Sequence, residues 1–277
     1  MKILIVGGNG FIGRSLAAFL KSREYEVICS GFSKEGDIKI DARSTDSLVG
    51  LFKRQNFEIV INLAGTFKDN FDVNICSSMN IVEALHLTGS DSRVIHVASA
   101  TEQSSHKGIY ESEYSLTKEK GTSNFHRSLR STGLYGTTVV LHNTYGISQP
   151  SDRFIAACIN SCLSGLEFKL RYPNRVRDFV YQPDINLAFE RVIFDLMANS
   201  DKKEREIEIG TGLGHTMKEA AYIIAEILNC DDRIIKSANS FTEDPHPVRV
   251  ASINPLDSYI CKTSLQEGVK EIVSTKS

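Results

Sequence analysis

The chain has 277 residues, with 32 basic and 34 acidic side chains and a formal net charge of −2. That length can hold one continuous α/β core with a small appended domain and needs no disulfide staples. The near-balance of charge excludes a general attraction to nucleic acid or an anionic membrane, so any anion must be bound locally. The six cysteines, Cys29, Cys76, Cys158, Cys162, Cys230 and Cys261, are scattered as suits a reducing, cytoplasmic setting. Cys158 and Cys162 share a helix face and could be half of a metal site. No second pair accompanies them, so two small core side chains are the favoured reading and no metal is expected. Lys2 and the apolar residues 3–6 could open a signal peptide, but Gly7 and Gly8 end the run, and no stretch approaches the ~20 residues of a membrane span.

Residues 3–6 are apolar without interruption and β-branched, the pattern of a strand buried on both faces. A glycine turn follows, then a helix over 15–20, in which Leu16, Ala17, Phe19 and Leu20 recur at helical spacing. A second strand begins at 26–29, with further buried strands at 59–61, 94–97 and 138–141. Helical stretches at 46–55, 74–87 and 114–130 separate them. This alternation predicts an α/β fold with a doubly wound parallel sheet and right-handed crossovers. Beyond Gly146 the alternation stops. A helix over 154–164 precedes the basic stretch 171–178, residues 185–197 return to the flank of the sheet, and another helix covers 216–228. The expected division is a dinucleotide-binding domain over 1–146, with 178–205 returning to it, and a smaller discontinuous C-terminal substrate lobe over 147–177 and 206–277.

Gly7, Gly10 and Gly13 stand between the first strand and the first helix, in the stretch that also holds Asn9, Phe11 and Ile12. There, glycines allow a tight turn and close backbone approach to a pyrophosphate, whose charge the helix N-terminus stabilises. The placement predicts a Rossmann-type nicotinamide dinucleotide site; a glycine-rich turn without a ligand is the alternative. The second strand runs into Ser30, Ser33 and Lys34 with no Asp or Glu for the ribose hydroxyls. Donors and a positive charge, with Arg14 nearby, suit a 2′-phosphate, so NADP is favoured over NAD. Lys34 could equally be a solvated loop residue.

Tyr114 and Lys118, four residues apart, share one face of a predicted helix. A neighbouring ammonium stabilises a phenolate and moves the phenol towards the range a general acid–base needs. Ser99 lies at the end of a buried strand, at the carboxyl edge where ligands of such sheets bind. Three groups can therefore converge on one carbonyl oxygen.

With these marks the sequence resembles the extended short-chain dehydrogenase/reductase family, of NAD-dependent epimerase/dehydratase type, across nearly its whole length. The residues carrying the resemblance are the glycine turn, Asp41, the run Asn62-Leu63-Ala64-Gly65, Ser99, Tyr114 with Lys118, Asn143-Thr144-Tyr145-Gly146 and Arg177-Asp178-Phe179-Val180. The resemblance implies that Asp41 with Ala42 meets the adenine end of the cofactor, and that Leu63, Ala64 and Gly65 pass beside its phosphates and ribose. Ala98 and His142 would also border the cofactor, His142 facing the nicotinamide or the sugar. Ser99, Ala100, Thr101 and Asn143 would meet a nucleotide-sugar substrate and Arg177 its diphosphate. Two departures stand out: Ala98 replaces the first serine of the usual pair, and Val140 stands where an arginine is frequent. The acidic pair of the dehydratases is missing after Ser99, with Glu102 displaced from it, and the cysteine of the GDP-fucose synthase kind is also absent.

What remains is reduction at C4 of a nucleotide-linked 4-keto-6-deoxy sugar, or NAD-dependent 4-epimerisation. The missing ribose acid and the likeness to dTDP-rhamnose and GDP-fucose reductases favour the reductase. A non-catalytic NADP-binding regulator is a third reading, opposed by the intact Ser99, Tyr114 and Lys118. The polar residues 102–112 are expected to border the substrate cleft. The resemblance also implies that a homodimer is possible, with the helices 74–87 and 114–130 as candidates, and a helix packed on its own sheet is the alternative reading of their pattern.

Overall fold

A computed structural model describes residues 1–31, 37–68, 70–102, 112–198, 204–237, 248–254 and 258–275. The first part of the chain runs β1 (Lys2–Val6), α1 (Phe11–Ser22), β2 (Glu26–Gly31), β3 (Ile38–Lys39), α2 (Thr45–Phe52), β4 (Ile59–Asn62), α3 (Asp72–Leu87), β5 (Arg93–Ser99), α4 (Glu113–Thr132) and β6 (Gly136–Leu141). There follow β7 (Asn143–Tyr145), α5 (Phe154–Ser164), β8 (Phe168–Leu170), β9 (Val176–Tyr181), α6 (Gln182–Ala198), β10 (Glu204–Gly210), β11 (Gly214–Thr216), α7 (Met217–Ile227), β12 (Ile235–Ser237), β13 (Val248–Arg249), β14 (Ser258–Ile260) and α8 (Leu265–Ser274). Among the described residues one mostly parallel sheet has the order β3-β2-β1-β4-β5-β6-β10-β14. No described helix is long and apolar enough to cross a membrane.

The chain forms two compact units, Met1–Val140 with Asn186–Ile207, and Leu141–Ile185 with Glu208–Ser277. Residues 141–146 and 178–185, expected with the first unit, lie in the second. The reason is local: β7 pairs in parallel with β9, Asn143 opposite Phe179 and Tyr145 opposite Tyr181, so both strands belong to one body.

In the first unit β1 pairs with β2 on one side and β4 on the other, and strand order reverses there. Val6 lies opposite Ser30 and Asn62, so the turn after β1 opens at the crevice where such sheets bind ligands. The strands are apolar on both faces because helices cover both. Leu4, Val60 and Val94 from the sheet pack with Ile81 and Leu85 of α3 and Phe125 and Leu129 of α4. α1 buries Gly13, Leu16, Ala17 and Leu20. α2 stops at Phe52, short of the expected residue 55, where the Arg54 and Gln55 amides both turn back to the Leu51 carbonyl.

The second unit has its own core, in which Tyr145, Ile155, Cys158, Cys162, Phe179, Ile224 and Val269 are buried together. Cys158 and Cys162 are thus core side chains; burial raises both thiols, and no metal-ligand cluster occurs among the described residues. β9 is central, antiparallel to β11 and parallel to β13 and β7.

α3 and α4 meet at Gly121, where an added Cβ would collide with the Asn74 carbonyl oxygen. Ser78 Oγ donates to Gly121 O at 2.9 Å and Asn124 Nδ2 to Ile75 O at 3.1 Å, binding the helices by their backbones. Gly121→Ala must push the helices apart. Its expected cost is at or above the ~1–3 kcal/mol of an overpacked core, read as a lower midpoint in urea unfolding.

Candidate active site

The glycine turn is built by close backbone approach. Gly7 has φ +81°; its amide and that of Gly8 donate to Ser30 O at 2.9 and 3.1 Å. An added Cβ on Gly7 would lie 2.7 Å from Ala64 N, and one on Gly13 2.7 Å from Gly8 Cα. These glycines are therefore consumed in joining β1, β4 and α1. Gly10 differs, since a Cβ there meets nothing nearer than Gly7 O at 3.4 Å. Gly10 is the N-cap of α1, with no capping side chain and no acid in the first turn. Phe11 and Ile12 are half-buried behind it, and Asn9 Nδ2 is buried without a partner. A helix start with free donors, no negative charge and an open approach fits the pyrophosphate of a dinucleotide.

At the end of β2 the arrangement differs from expectation. Ser30 is fully buried and its hydroxyl has no partner, so it serves the turn through its carbonyl and presents no donor to solvent. Ser33 and Lys34 lie outside the described residues. Arg14 is exposed on α1. Asp37, passed over in the sequence because it follows the strand by several residues, does approach β2, but its Oδ2 accepts from Cys29 N at 2.9 Å and faces Lys21 Nζ at 3.8 Å. Asp41 forms a fork with Arg43, Nε to Oδ1 at 2.9 Å and Nη2 to Oδ2 at 2.8 Å, and this hydrogen-bonded pairing holds its carboxyl below the usual range. The two border an open hollow of about 420 Å³ together with Ser44, Asp72, Ile75 and Cys76. Ala42 is buried, its carbonyl accepting from Asn80 Nδ2 at 3.1 Å.

Two asparagines shape the loop of Leu63, Ala64 and Gly65. Asn62 Oδ1 accepts from Ala64 N at 3.1 Å, and its Nδ2 donates to Ser77 Oγ at 3.0 Å. Asn74 Oδ1 accepts from Thr66 N at 2.8 Å, while its Nδ2 donates to Thr66 O at 3.0 Å and to Thr117 Oγ1 at 3.1 Å. The loop is thereby tied to α4. Leu63 and Ala64 are half-buried and Gly65 is exposed.

β5 delivers Ser99, and α4 delivers Tyr114 and Lys118. Lys118 is buried, and its Nζ donates to Val97 O at 2.7 Å, so the ammonium is fixed two residues from Ser99 on the same strand end. Burial lowers the Lys118 pKa, and the Glu102 charge opposes that shift. Tyr114 is half-buried, one turn before Lys118, and its ring stacks on Phe67 at 4.2 Å between centroids. Phe67 carries no sequence motif, though its position in the loop after Gly65 points to the same edge. Ser99 Oγ lies 2.9 Å from Thr101 Oγ1. Ala98 and Ala100 are buried with Val140, so their methyl groups form wall. Glu102, first of the polar residues expected to border the cleft, is buried. The rest of the polar segment, 103–111, lies outside the described residues.

In the second unit His142 Nε2 faces Glu208 Oε2 at 3.2 Å, and His142 Nδ1 is buried without a partner. Asn143 is exposed on β7. Arg177 is buried on β9 with His215 of β11 and Arg249 of β13 opposite it in register. Residues opposite one another share a sheet face, so the three basic side chains stand in a row. Arg249 and His215 were not singled out in the sequence, because the short strands that carry them give no periodic signal.

Two predictions follow from this geometry. Gly10→Ala should fold with nearly unchanged thermal midpoint yet bind NADPH or NADH at least about tenfold more weakly, by nucleotide fluorescence, because only the ligand's approach is blocked. Gly7→Ala should lower stability as well. His96, buried on β5, has its pKa pushed well below the ordinary value by burial and by Lys118. The unfolded chain then binds the extra proton, so stability is complete above pH ~6.5 and falls by up to about 1.4 kcal/mol per pH unit below it. Urea midpoints from about pH 8 to 5 should record that acid limb, and His96→Gln should flatten it.

The model of the NAD dependent epimerase/dehydratase family matches residues 3–210. A dTDP-6-deoxy-L-talose 4-dehydrogenase (NAD(P)(+)) of Kitasatospora kifunensis is 23% identical, with 81% of this chain and 78% of the relative covered. A UDP-glucose 4-epimerase of Rhizobium leguminosarum bv. trifolii is 24% identical, with 82% of each covered. Among solved structures, a UDP-glucose 4-epimerase of Thermotoga maritima superposes with a TM-score of 0.82 at 22% identity, over 100% of this chain and 99% of that one. The dTDP-glucose 4,6-dehydratase of Bacillus anthracis in complex with NAD superposes with a TM-score of 0.84 at 19% identity, over 99% and 96%. The likeness in structure is one of fold, and the match over residues 3–210 supplies the family: the chain belongs to the NAD dependent epimerase/dehydratase family.

Proposed function

We propose that the protein is an NADP-dependent reductase of a nucleotide-linked 4-keto-6-deoxy sugar, acting at C4. The observation that carries this reading is the bond from Lys118 Nζ to Val97 O, which holds the ammonium, and α4 with it, against the strand end that bears Ser99. A bound nicotinamide would supply the hydride that reduces the carbonyl carbon. Tyr114 gives its phenolic proton to the C4 oxygen as negative charge develops there. Ser99 Oγ donates a hydrogen bond to the same oxygen, and the Lys118 ammonium favours the phenolate that Tyr114 becomes. The glycine turn with Asn9, Gly10, Phe11 and Ile12 would take the pyrophosphate. Asp41, Leu63, Ala64, Gly65 and the backbone of Ala98 would line the rest of the cofactor.

In the second unit Arg177, Arg249 and His215 offer a diphosphate the positive charge that bidentate arginines provide, and Asn143 offers an amide to the sugar. Dehydration is disfavoured because Ala100 and Thr101 rather than an acidic pair follow Ser99, and Glu102 is turned inward onto Ser99 N and Thr122 Oγ1. NADP rests on residues 29–34, which hold Ser33 and Lys34 and no acid, the Asp37 carboxylate being turned onto Cys29 N. A 4-dehydrogenase of a 6-deoxy nucleotide sugar among the relatives supports C4 redox chemistry, since its reverse is ketone reduction. NAD-dependent 4-epimerisation is the second reading, favoured by the relatives named UDP-glucose 4-epimerase.

The test offers NADPH with a panel of nucleotide-linked 4-keto-6-deoxy sugars. Stoichiometric NADPH consumption is expected; retained NAD with interconversion of two epimers would establish the second reading. Tyr114→Phe should lower kcat by about 10²–10⁴-fold while dinucleotide binding persists, and Arg249→Met should act chiefly on KM for the sugar. Unchanged turnover in Tyr114→Phe would sink the mechanism.

A further inference from the structure

Glu102 folds back onto Ser99 at the end of β5. Ser99 Oγ accepts from Thr101 N at 3.3 Å, and Glu102 Oε1 accepts from Ser99 N at 2.7 Å. This is one half of the Ser-x-x-Glu capping arrangement: the glutamate returns to the Ser99 amide, while the Ser99 hydroxyl meets Thr101 N rather than Glu102 N. Here the glutamate is turned inward and only 8% exposed. Its second oxygen, Oε2, accepts from Thr122 Oγ1 of α4 at 2.7 Å. Thr122 Oγ1 lies 3.1 Å from His96 Nε2, and His96 Nδ1 lies 3.5 Å from Asn62 Nδ2. Asn62 Oδ1 accepts from Ala64 N at 3.1 Å.

The directions along this chain are determined by chemistry. A carboxylate only accepts, so Thr122 spends its proton on Glu102 and must accept from His96. The His96 proton therefore sits on Nε2, leaving Nδ1 to accept from Asn62, whose oxygen is left for Ala64. Each donor meets an acceptor from the cofactor loop to the serine. Burial pushes the Glu102 carboxyl up, opposed by Lys118 on α4 and by its donors Thr122 and Ser99, while Glu206 on β10 adds to the rise; the groups that face His96 are Lys118 and His126.

We propose that Glu102 is a positioning residue for Ser99, acting as the anionic terminus of a directed hydrogen-bond chain, Ala64–Asn62–His96–Thr122–Glu102–Ser99, that locks the cofactor loop and the catalytic serine into one geometry. The proposal rests on the reading of Ser99 as the oxyanion partner. It assigns work to two residues, His96 and Thr122, that touch neither substrate nor cofactor.

The deciding variant is Glu102→Gln. Glutamine serves as well as glutamate at this capping position, so a capping role alone predicts no change. In the chain, however, the single amide oxygen must face Ser99 N and the NH2 group must face Thr122. Thr122 then accepts from glutamine and donates to His96 Nε2, which drives the imidazole proton to Nδ1, against the Asn62 NH2 group. The expected results are a change of His96 from the Nε2–H to the Nδ1–H tautomer in 15N spectra and a fall in kcat of about tenfold, as small misplacements of reacting groups produce. The pH profile should move to lower pH, because a negative charge beside Lys118 has been removed. An unchanged tautomer overturns the chain, and a kcat within about twofold of wild type overturns the positioning of Ser99. Should Glu102→Gln not fold, Thr122→Ser and Thr122→Val decide. Serine keeps the relaying hydroxyl and should behave as wild type, valine should reproduce the loss, and equal behaviour of the two overturns the proposal. The tautomer comparison needs no substrate, so it stays readable even if the catalytic reading fails.

Discussion

The contact between Asn74 and Gly121 governs the geometry of the first unit. At Gly121 the backbones of α3 and α4 touch with no side chain between them, and the Asn74 carbonyl fills the place a Cβ would take. The side chain of the same asparagine reaches both ways, holding Thr66 by its amide and carbonyl and Thr117 by its hydroxyl. One residue thus fixes the depth of α4 against α3, and the loop after β4 against α4. Tyr114 and Lys118 lie on the turn that includes Thr117, so their positions relative to Leu63, Ala64 and Gly65 follow from that contact. A looser helix pair would leave the tyrosine ring and the loop as independent bodies.

The region between β5 and α4 is polar where a stability-driven core would be apolar. Asn62, Ser77, His96, Thr117, Lys118 and Glu102 are all buried there. A buried polar network is costly when one member lacks a partner and stiff when all are satisfied. Burial pushes His96 well below its ordinary value and lowers Lys118 against the opposing charge of Glu102, the Lys118 Nζ donates to the Val97 carbonyl, and Glu102 takes two donors. The sheet below, from Leu4 through Val60 to Val94, supplies the apolar burial that offsets this expense.

The parallel sheet and its first helices were legible because each element repeats one signal. Unbroken β-branched runs mark β1, β4 and β6, and Leu16, Ala17 and Leu20 at helical spacing mark α1. Gly7, Gly10 and Gly13 could be placed because motif and topology coincide there. Three kinds of feature were not legible. Asp37 and Ser30 depend on which atoms β2 and β3 turn towards each other, which a residue list at a strand end does not reveal. Glu102 belongs to a four-residue cap whose signature is present in the sequence, yet its inward rotation is decided by Thr122, twenty positions further on. Arg249 sits on a two-residue strand, too short for any periodic signal, and acquires meaning only from its register with Arg177.

Arg177 and Asp178 show how one strand divides two tasks. Successive side chains on a strand point to opposite faces, so Arg177 stands in the row with His215 and Arg249 while Asp178 faces the other way. Asp178 is fully buried and accepts from Thr211 N at 3.0 Å, Thr211 Oγ1 at 2.6 Å, Gly212 N at 2.9 Å and Ala251 N at 3.2 Å. Gly210 must lack a Cβ because the Ala251 methyl group and the Asp178 carboxylate share its space, the methyl closest and the carboxylate 2.7 Å from where that carbon would lie. Those donors come from the turn between β10 and β11 and from the chain just after β13. The carboxylate therefore pins β11 and β13 against β9, and with them the register that sets His215 and Arg249 opposite Arg177. Placing like charges side by side is unfavourable unless the backbone enforces it, and here a buried anion on the reverse face does so. The acid contributes to the basic row by fixing where its members stand rather than by neutralising them.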